Sequence, residues 1–257
     1  MFGRRKARQT NASSRIVGYK ERYATWWTQG KTILDQAHIL IAGATGCGKS
    51  TLIHKLMWTA LAWSPSQVQF ILIDMKGGVE LGRYANLPHT VRFARTLEEA
   101  LSALTYAQGI MNSRIDTLFR EGKTMYDGAD TYIVIDELAF LLQKGGQEAL
   151  SKLIDISQRG RACRIHLLLA TQDPSRRGIP AAIQANVTCR IGLKCQTAIE
   201  SRQVVGVAGC EDLPFYGTGI LGIGAKILLL PITPKEEKGY QERIAYWSDP
   251  AQYAIFG

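Results

Sequence analysis

The segment Gly43-Ala44-Thr45-Gly46-Cys47-Gly48-Lys49-Ser50 governs the interpretation of this chain, because it matches the phosphate-loop pattern GxxxxGK[S/T]. It follows a short apolar run and opens a helical pattern, the context that the motif requires. Its glycines let backbone N–H groups close around phosphates, the lysine reaches the terminal phosphates, and the serine ligates Mg²⁺. We therefore predict that ATP and Mg²⁺ bind here, with nucleotide contacts from Gly43, Ala44, Thr45, Gly46, Cys47, Gly48, Lys49, Ser50 and Thr51.

Two later strand patterns end in residues suited to ATP hydrolysis. The run Tyr132 to Ile135 is followed by Asp136 and Glu137. We predict that Asp136, together with Ser50, holds Mg²⁺ and that Glu137 polarises the attacking water. The run Ile165 to Ala170 ends in Thr171-Gln172, and Gln172 is the predicted γ-phosphate sensor, with a plain strand-end polar residue as the alternative.

The order of apolar runs predicts the fold class. Short runs alternate with helical patterns, which is typical of an α/β domain with a central, mostly parallel sheet flanked by helices. Two helical stripes, at positions 52–61 and 97–118, are predicted to face the core. A glycine-rich apolar stretch at positions 218–231 predicts a further pair of strands. The five predicted core strands are His38 to Ala42, Val68 to Asp74, Tyr132 to Asp136, Ile165 to Ala170 and Cys189 to Lys194.

Composition limits the class of protein further. The 257 residues include 31 Lys and Arg against 22 Asp and Glu, a net charge of +9 that favours contact with polyanions. No apolar run approaches the roughly 20 residues of a transmembrane helix, and the basic start at positions 3–8 lacks the apolar stretch of a secretory signal. Five cysteines without CxxC spacing argue against a disulfide framework and a zinc site. A cytoplasmic protein with a basic, disordered N-terminal tail is the expectation. Cys47, inside the phosphate loop, is a candidate site for alkylation.

Several segments together resemble the FtsK/SpoIIIE/HerA motor family and occur in that family's order. The resemblance implies a RecA-like ATPase domain in a homo-hexameric ring that moves double-stranded DNA, with ATP held between subunits. It also implies that Arg161 is an arginine finger, whereas without it Arg161 would be one more exposed arginine on a basic helix. The segments are His38 to Gly46, Leu72 to Lys76, Leu87 to His89, Ile135 to Ala139, Gln158 to Ala162, Ile165 to Gln172 and Ala185-Asn186.

The resemblance is weaker at the expected DNA-contacting loop, positions 173–180. DNA-moving relatives carry basic residues where this chain has Asp173 and Gln184. Arg176 and Arg177 lie in the same loop, and we predict that they contact DNA phosphates instead. The chain also lacks room for a large N-terminal membrane region or a C-terminal winged-helix domain, so a minimal motor is expected.

The predicted organisation is a tail and lead-in at 1–30, a motor domain at 31–234 and a C-terminal tail at 235–257. The leading interpretation is an ATP-driven translocase of double-stranded DNA in transfer, segregation or packaging, brought to its site by a recruiting protein or a membrane-associated partner. The first alternative is a secretion or conjugative coupling ATPase of the same superfamily, which moves protein or single-stranded DNA. A slowly hydrolysing structural subunit and a small-molecule kinase are further alternatives. The intact set of Lys49, Asp136 and Glu137 argues against the structural subunit.

Overall fold

The computed structural model describes residues 33–215, 218–222, 226–228 and 234–249. The predicted N-terminal tail and lead-in at 1–30 lie outside the described residues, as do residues 250–257 of the predicted C-terminal tail. Within the described residues, no helix is both long enough and apolar enough to cross a membrane.

An eight-stranded sheet in the order β3-β2-β4-β5-β1-β6-β7-β8 forms the centre of the domain. Strands β1 to β6 are parallel, while β7 and β8 continue the sheet in antiparallel pairing. All residues of β1, β4 and β5 are buried, as expected for parallel strands covered on both faces. The strands are β1 His38–Ala42, β2 Val68–Ile73, β3 Thr90–Ala94, β4 Asp130–Ile135, β5 Ile165–Thr171, β6 Cys189–Gly192, β7 Thr218–Leu221 and β8 Lys226–Leu228.

In the part of the chain that the structure describes, six α-helices connect and cover these strands: α1 Lys49–Ala60, α2 Leu97–Glu121, α3 Leu138–Arg159, α4 Ala181–Gln184, α5 Ala198–Val205 and α6 Pro234–Ser248. Helices α2 and α5 each begin with a capping box, in which a threonine and a glutamate three residues later satisfy each other's backbone N–H groups. Helix α3 is interrupted at Gly146, whose φ of 53° and ψ of −137° are not helical.

Two apolar cores lie on the two faces of the sheet. Ile39 and Ile41 of β1 face the core shared with α1, and Leu40 between them faces the core shared with α2 and α3. Both predicted stripes contribute to these cores, α1 to the first and α2 to the second. The α/β prediction is therefore confirmed, as are the five predicted strands, each within two residues at either end, and the strand pair within 218–231.

Helix α6 lies almost entirely within the stretch predicted as a C-terminal tail. The side chain of its residue Trp247 belongs to the first core. Trp247 is buried, and its indole N–H donates a hydrogen bond to the carbonyl oxygen of Leu61 at 3.0 Å. The ring of His89 meets the Trp247 ring edge to face, with 4.8 Å between centroids. No pattern in the sequence predicted this helix, which covers the end of α1.

Candidate nucleotide-binding and hydrolysis site

The predicted nucleotide-site residues meet at the carboxyl edge of the parallel strands. The phosphate loop joins β1 to α1, Asp136 and Glu137 follow β4, and Gln172 follows β5. Because β1, β5 and β4 are neighbours in the sheet, these segments lie side by side. This edge is where ligands bind in open α/β sheets.

The phosphate loop has a backbone shape that its glycines permit. Gly46 and Gly48 have φ angles of 76° and 101°, which L side chains rarely adopt. A Cβ at Gly43 would lie 2.8 Å from both the Cys47 Sγ and the Leu193 Cβ atoms. The Ala44 N–H donates to the carbonyl oxygen of Lys194 at 2.8 Å, which ties the loop to the end of β6. The loop is therefore anchored to the end of β6 in a backbone conformation that glycine adopts readily and other residues rarely do.

Lys49 is the first residue of α1, and its ammonium group is turned back onto the loop. It donates to the carbonyl oxygens of Gly43, at 2.8 Å, and Ala44, at 2.7 Å. Burial lowers the pKa of Lys49, while the charges of Glu137 and Asp136 oppose that shift. Phosphate oxygens can take the place of these two carbonyl oxygens as acceptors. The Lys49 ammonium group is therefore held at the loop, close to where the phosphates of a bound triphosphate would lie.

Asp136 has the surroundings of a metal-binding carboxylate. The residue is 4% exposed, and its Oδ2 atom receives no hydrogen bond of proper geometry, although the Lys76 ammonium lies 3.0 Å away. Burial raises the pKa of Asp136, and the contact with Lys76 opposes that shift. A buried carboxylate oxygen that is paired with an ammonium group but receives no well-aligned hydrogen bond suits a second cation, and Asp136 and Ser50 would hold Mg²⁺ together.

Lys76 is a second cation in the site that the sequence analysis did not assign. Its ammonium group lies 3.0 Å from Asp136 Oδ2 and 3.6 Å from Glu137 Oε2. Burial lowers the pKa of Lys76, but its contacts with the two acids outweigh burial and leave the pKa raised. Asp74, fully buried at the end of β2, shapes the loop beyond Lys76 by accepting backbone N–H bonds from Lys76, Glu80 and Leu81.

Glu137 is oriented by the end of β5. Its Oε1 atom accepts hydrogen bonds from the Thr171 hydroxyl at 2.9 Å and the Gln172 N–H at 3.0 Å. Gln172 in turn contacts the phosphate loop, because its Oε1 atom accepts from the Thr45 hydroxyl at 2.5 Å. The structure therefore joins the predicted base, the predicted sensor and the phosphate loop in one hydrogen-bonded chain. Thr171 was missed as a site residue, although its place beside Gln172 at a strand end was a signal.

Arg161 lies apart from these residues. It is exposed in the turn between α3 and β5, at the amino end of a seven-residue strand whose carboxyl end is Thr171. At about 3.3 Å per residue, β5 spans roughly 20 Å. Arg161 therefore cannot reach the phosphate loop of its own chain.

The loop predicted to contact DNA borders the site. Arg176 and Arg177 are exposed, and Arg177 lines an open cavity of about 1030 Å³ together with Lys76, Glu137 and Gln172. The departures at Asp173 and Gln184 have structural roles. Asp173 Oδ1 accepts the Ser175 N–H at 2.9 Å, and the Gln184 side-chain amide donates to the Ile179 carbonyl oxygen at 2.9 Å. Both side chains thus hold the shape of the loop that carries the arginines.

The thiol of Cys47 points into the core. Cys47 is 3% exposed, and burial raises the pKa of its thiol, although the neighbouring Lys49 acts in the opposite direction. A buried, protonated thiol reacts slowly with alkylating reagents. The expectation of an alkylation-sensitive site is therefore not supported by the geometry.

Comparison with known proteins relates the chain to DNA translocases. The model of the FtsK/SpoIIIE family matches residues 23–130. DNA translocase FtsK of Chlamydia pneumoniae is 32% identical over 240 residues, which cover 84% of this chain and 28% of that protein. DNA translocase SftA of Bacillus subtilis is 35% identical over 192 residues, covering 68% of this chain and 20% of that protein. The chain thus spans less than a third of these relatives.

Solved structures share the fold. The pCW3 conjugation coupling protein TcpA, solved as a monomer with ATPγS, superposes with a TM-score of 0.72 at 23% identity, over 83% of this chain and 66% of that one. The cytoplasmic domain of the type VII secretion ATPase EccC from Thermomonospora curvata superposes with a TM-score of 0.64 at 27% identity, over 77% of this chain and 26% of that one.

Proposed function

The chain belongs to the FtsK/SpoIIIE family of P-loop ATPases, and on that premise we propose that it couples ATP hydrolysis to the translocation of double-stranded DNA. One observation carries the proposal. Lys49, Glu137 and Gln172 meet at one edge of the sheet, beside a cavity that is also lined by Arg177 of the basic loop. Residues proposed for hydrolysis and a residue proposed to contact DNA thus line the same cavity.

The hydrolytic step follows from the roles that the side chains are placed to take. Lys49 would neutralise the terminal phosphates, and Glu137, held by Thr171 and the backbone of Gln172, would orient and deprotonate the attacking water. Ser50 and Asp136 would hold Mg²⁺, which supplies charge neutralisation between the phosphate groups when it is bound. Gln172, bonded to Thr45, lies where a change at the γ-phosphate would alter its contacts.

We propose a homo-hexameric ring in which Arg161 acts on the nucleotide of the neighbouring subunit. The support is its position, since it is exposed at the sheet edge opposite to its own phosphate loop. A guanidinium group placed there stabilises the charge that develops on a transferring phosphoryl group, as arginine fingers supplied in trans do.

DNA contact is proposed for Arg176 and Arg177. Both are exposed on a loop whose neighbours Asp173 and Gln184 are engaged in holding its shape. Contacts of this kind neutralise phosphates without reading sequence, and the net charge of +9 favours the same partner. We further propose that residues 31–234 are the motor domain, with 1–30 and 235–257 as its flanking tails. A cytoplasmic setting and a recruiting or membrane-associated partner complete the proposal.

A secretion or conjugative coupling ATPase is the second candidate. The 27% identity and the TM-score of 0.64 with EccC, a type VII secretion ATPase, favour it. The intact hydrolytic residues suit either function, so the two candidates differ only in the polymer that is transported, and that polymer has to be identified by experiment.

The deciding experiment measures ATPase rate with duplex DNA, with single-stranded DNA and without nucleic acid, over a series of salt concentrations. A DNA translocase should be stimulated by duplex, and log affinity should fall linearly with log salt concentration because phosphate contacts release counterions. Displacement of a third strand from a triplex would report movement along the duplex, with Glu137→Gln as the control that binds but does not move. A rate indifferent to duplex at every salt concentration would refute DNA translocation and favour the secretion function.

A further inference from the structure

The turn that carries Arg161 is fixed by hydrogen bonds along its backbone. The Gly160 carbonyl oxygen accepts from the N–H groups of Cys163, at 3.0 Å, and Ile165, at 2.9 Å. The Ala162 carbonyl oxygen accepts from the Tyr126 N–H at 2.9 Å. A Cβ at Gly160 would lie 2.6 Å from the Ile156 carbonyl oxygen, so the entrance to the turn is also closely packed. The backbone beneath Arg161 therefore has few alternative conformations.

Arg164 closes this turn in an unusual conformation. Among the non-glycine residues that the structure describes, it is the one with positive φ, at 55°. Such a backbone costs free energy for an L-residue. A bidentate ion pair accompanies it, with Arg164 Nε and Nη2 each 2.6 Å from one oxygen of the buried Asp130 carboxylate. The planar fork matches a carboxylate in two bonds, so it fixes direction as well as distance.

A second arginine holds the same turn from helix α2. Arg114 is 7% exposed, and its Nη1 donates to the Cys163 carbonyl oxygen at 2.8 Å, while its Nη2 donates to the Thr131 hydroxyl at 2.9 Å. Its guanidinium group lies over the Tyr126 ring, 4.6 Å from the centroid. The turn is thus tied to α2 and β4 by two buried or half-buried cations that take no part in the nucleotide site.

His166 adds a further contact to the same carboxylate. Its Nε2 atom lies 3.1 Å from Asp130 Oδ1, and its Nδ1 atom lies 3.0 Å from the Ala37 carbonyl oxygen. Tyr132 stacks on the His166 ring with 4.8 Å between centroids. Arg164 thus contacts both oxygens of the Asp130 carboxylate and His166 contacts one of them, so three contacts define the orientation of this carboxylate.

We propose that the ion pair between Asp130 and Arg164, supported by Arg114, positions Arg161 for its action on the neighbouring subunit. This inference rests on the proposed trans role of Arg161. A long exposed arginine loses conformational entropy when it engages a phosphate, and a backbone that is already fixed limits that loss to the side chain. Asp130, Arg164 and Arg114 are positioning residues, since they contact the turn and not the nucleotide.

The test uses mixtures of two inactive proteins. A subunit with Glu137→Gln has a disabled site and an intact finger, whereas a subunit with Arg161→Ala has an intact site and no finger. In equal random mixture, roughly one interface in four pairs a good site with a good finger, so about a quarter of the wild-type ATPase rate should return in a ring of head-to-tail contacts. Subunit exchange is verified separately by cross-linking.

The Asp130→Asn substitution is then introduced into one partner of the mixture at a time. In the Glu137→Gln subunit, which donates the finger, it should reduce the restored rate about tenfold or more. In the Arg161→Ala subunit it should leave the restored rate unchanged, because that finger is already absent. If Asp130→Asn simply impaired folding, it would lower the restored rate whichever subunit carried it. A loss seen only in the Glu137→Gln subunit therefore indicates a positioning role and not a loss of stability.

A second variant and a control complete the design. Arg164→Gly keeps the left-handed backbone accessible and removes the fork, so it breaks the same ion pair from the other side. Asp155→Asn removes the nearby ion pair with Arg159 on α3, where Arg159 Nε and Asp155 Oδ1 are 2.6 Å apart, and should have no effect in either partner. Binding of an ATP analogue should equal that of the wild type in every variant that keeps Glu137.

The possible results distinguish the positioning role of the ion pair from the trans role of Arg161. Equal loss from both partners, or no loss from the finger donor with either variant, would overturn the positioning role while leaving the trans finger intact. No restored activity in the parent mixture, with exchange confirmed, would refute the trans role of Arg161 and this inference with it.

Discussion

Replacement of Thr171 is the perturbation that tests most directly how Glu137 is oriented. The Thr171 hydroxyl is fully buried and donates to Glu137 Oε1 at 2.9 Å, and it accepts the Asp173 N–H at 3.1 Å. Thr171→Val keeps the shape of the side chain and removes both bonds. Thr171→Ser keeps the hydroxyl and removes only a methyl group, so the two variants form a matched pair.

The magnitude follows from the bonds that are lost. A hydrogen bond to a charged group contributes about 1.5–3 kcal/mol. If that orientation is needed in the transition state, its loss corresponds to roughly 10- to 150-fold in kcat. The Gln172 N–H still binds Glu137 Oε1 at 3.0 Å, so part of the orientation survives and we expect a loss of about 10- to 100-fold. The bond to Asp173 N is also lost, which should lower the free energy of unfolding by about 1–3 kcal/mol.

The assay compares steady-state ATPase rate with the affinity for a fluorescent ATP analogue. Thr171→Val should lower kcat while nucleotide affinity changes by less than about threefold, because Lys49 and the phosphate loop are untouched. Thr171→Ser should stay within a few-fold of the wild-type rate. A wild-type kcat in Thr171→Val, with folding confirmed by thermal denaturation, would show that the contact with Glu137 does not orient the base.

Four further outcomes are expected. Lys49→Ala should abolish turnover or nucleotide binding, and near-normal hydrolysis would refute the phosphate-loop assignment. Glu137→Gln should bind ATP, measured by analogue fluorescence, without cleaving it, since the amide cannot act as the base; hydrolysis at the wild-type rate would place the base elsewhere. Replacing Arg176 and Arg177 with Ala should weaken duplex binding equally for all sequences and lower the slope of log affinity against log salt by about 1–2, with basal ATPase preserved; an unchanged slope would move the contact to another surface. Cys47 should resist iodoacetamide at pH 8 in the native protein and react after unfolding, because burial raises its pKa; rapid native labelling, located by mass spectrometry, would contradict that.

Local patterns predicted those parts of the fold that neighbouring residues determine. The phosphate loop, the acids after β4 and the buried strands each carry their signal within a few residues, and all were located in the sequence. Strand β3, Thr90–Ala94, was missed because it lies at the sheet edge and only one of its five residues is buried, so its apolar run is weak. Helix α6 was missed because its described surface is mostly polar and Trp247 is its one buried residue among those described.

Residues whose function depends on strand order lay beyond local patterns. Lys76 meets Asp136 and Glu137 because β2 pairs with β4, in a register that places Ile71 beside Ile133, 62 positions later in the chain. Thr171 meets Glu137 for the same reason, through the pairing of β4 with β5. Neither contact is visible in the spacing of the residues along the chain.

Strand β5 connects the two ends of the proposed mechanism. All seven of its residues are buried, and it is paired with β4 on one side and β1 on the other. The turn with Arg161 precedes its amino end, and its carboxyl end places Thr171 and Gln172 against Glu137 and the phosphate loop. A strand packed on both faces and bonded on both edges holds its two ends at a fixed separation, because a close-packed interior leaves little room for displacement. In the proposed ring, β5 would therefore keep the turn that carries Arg161 in a fixed position relative to Gln172 and Glu137 of the same subunit.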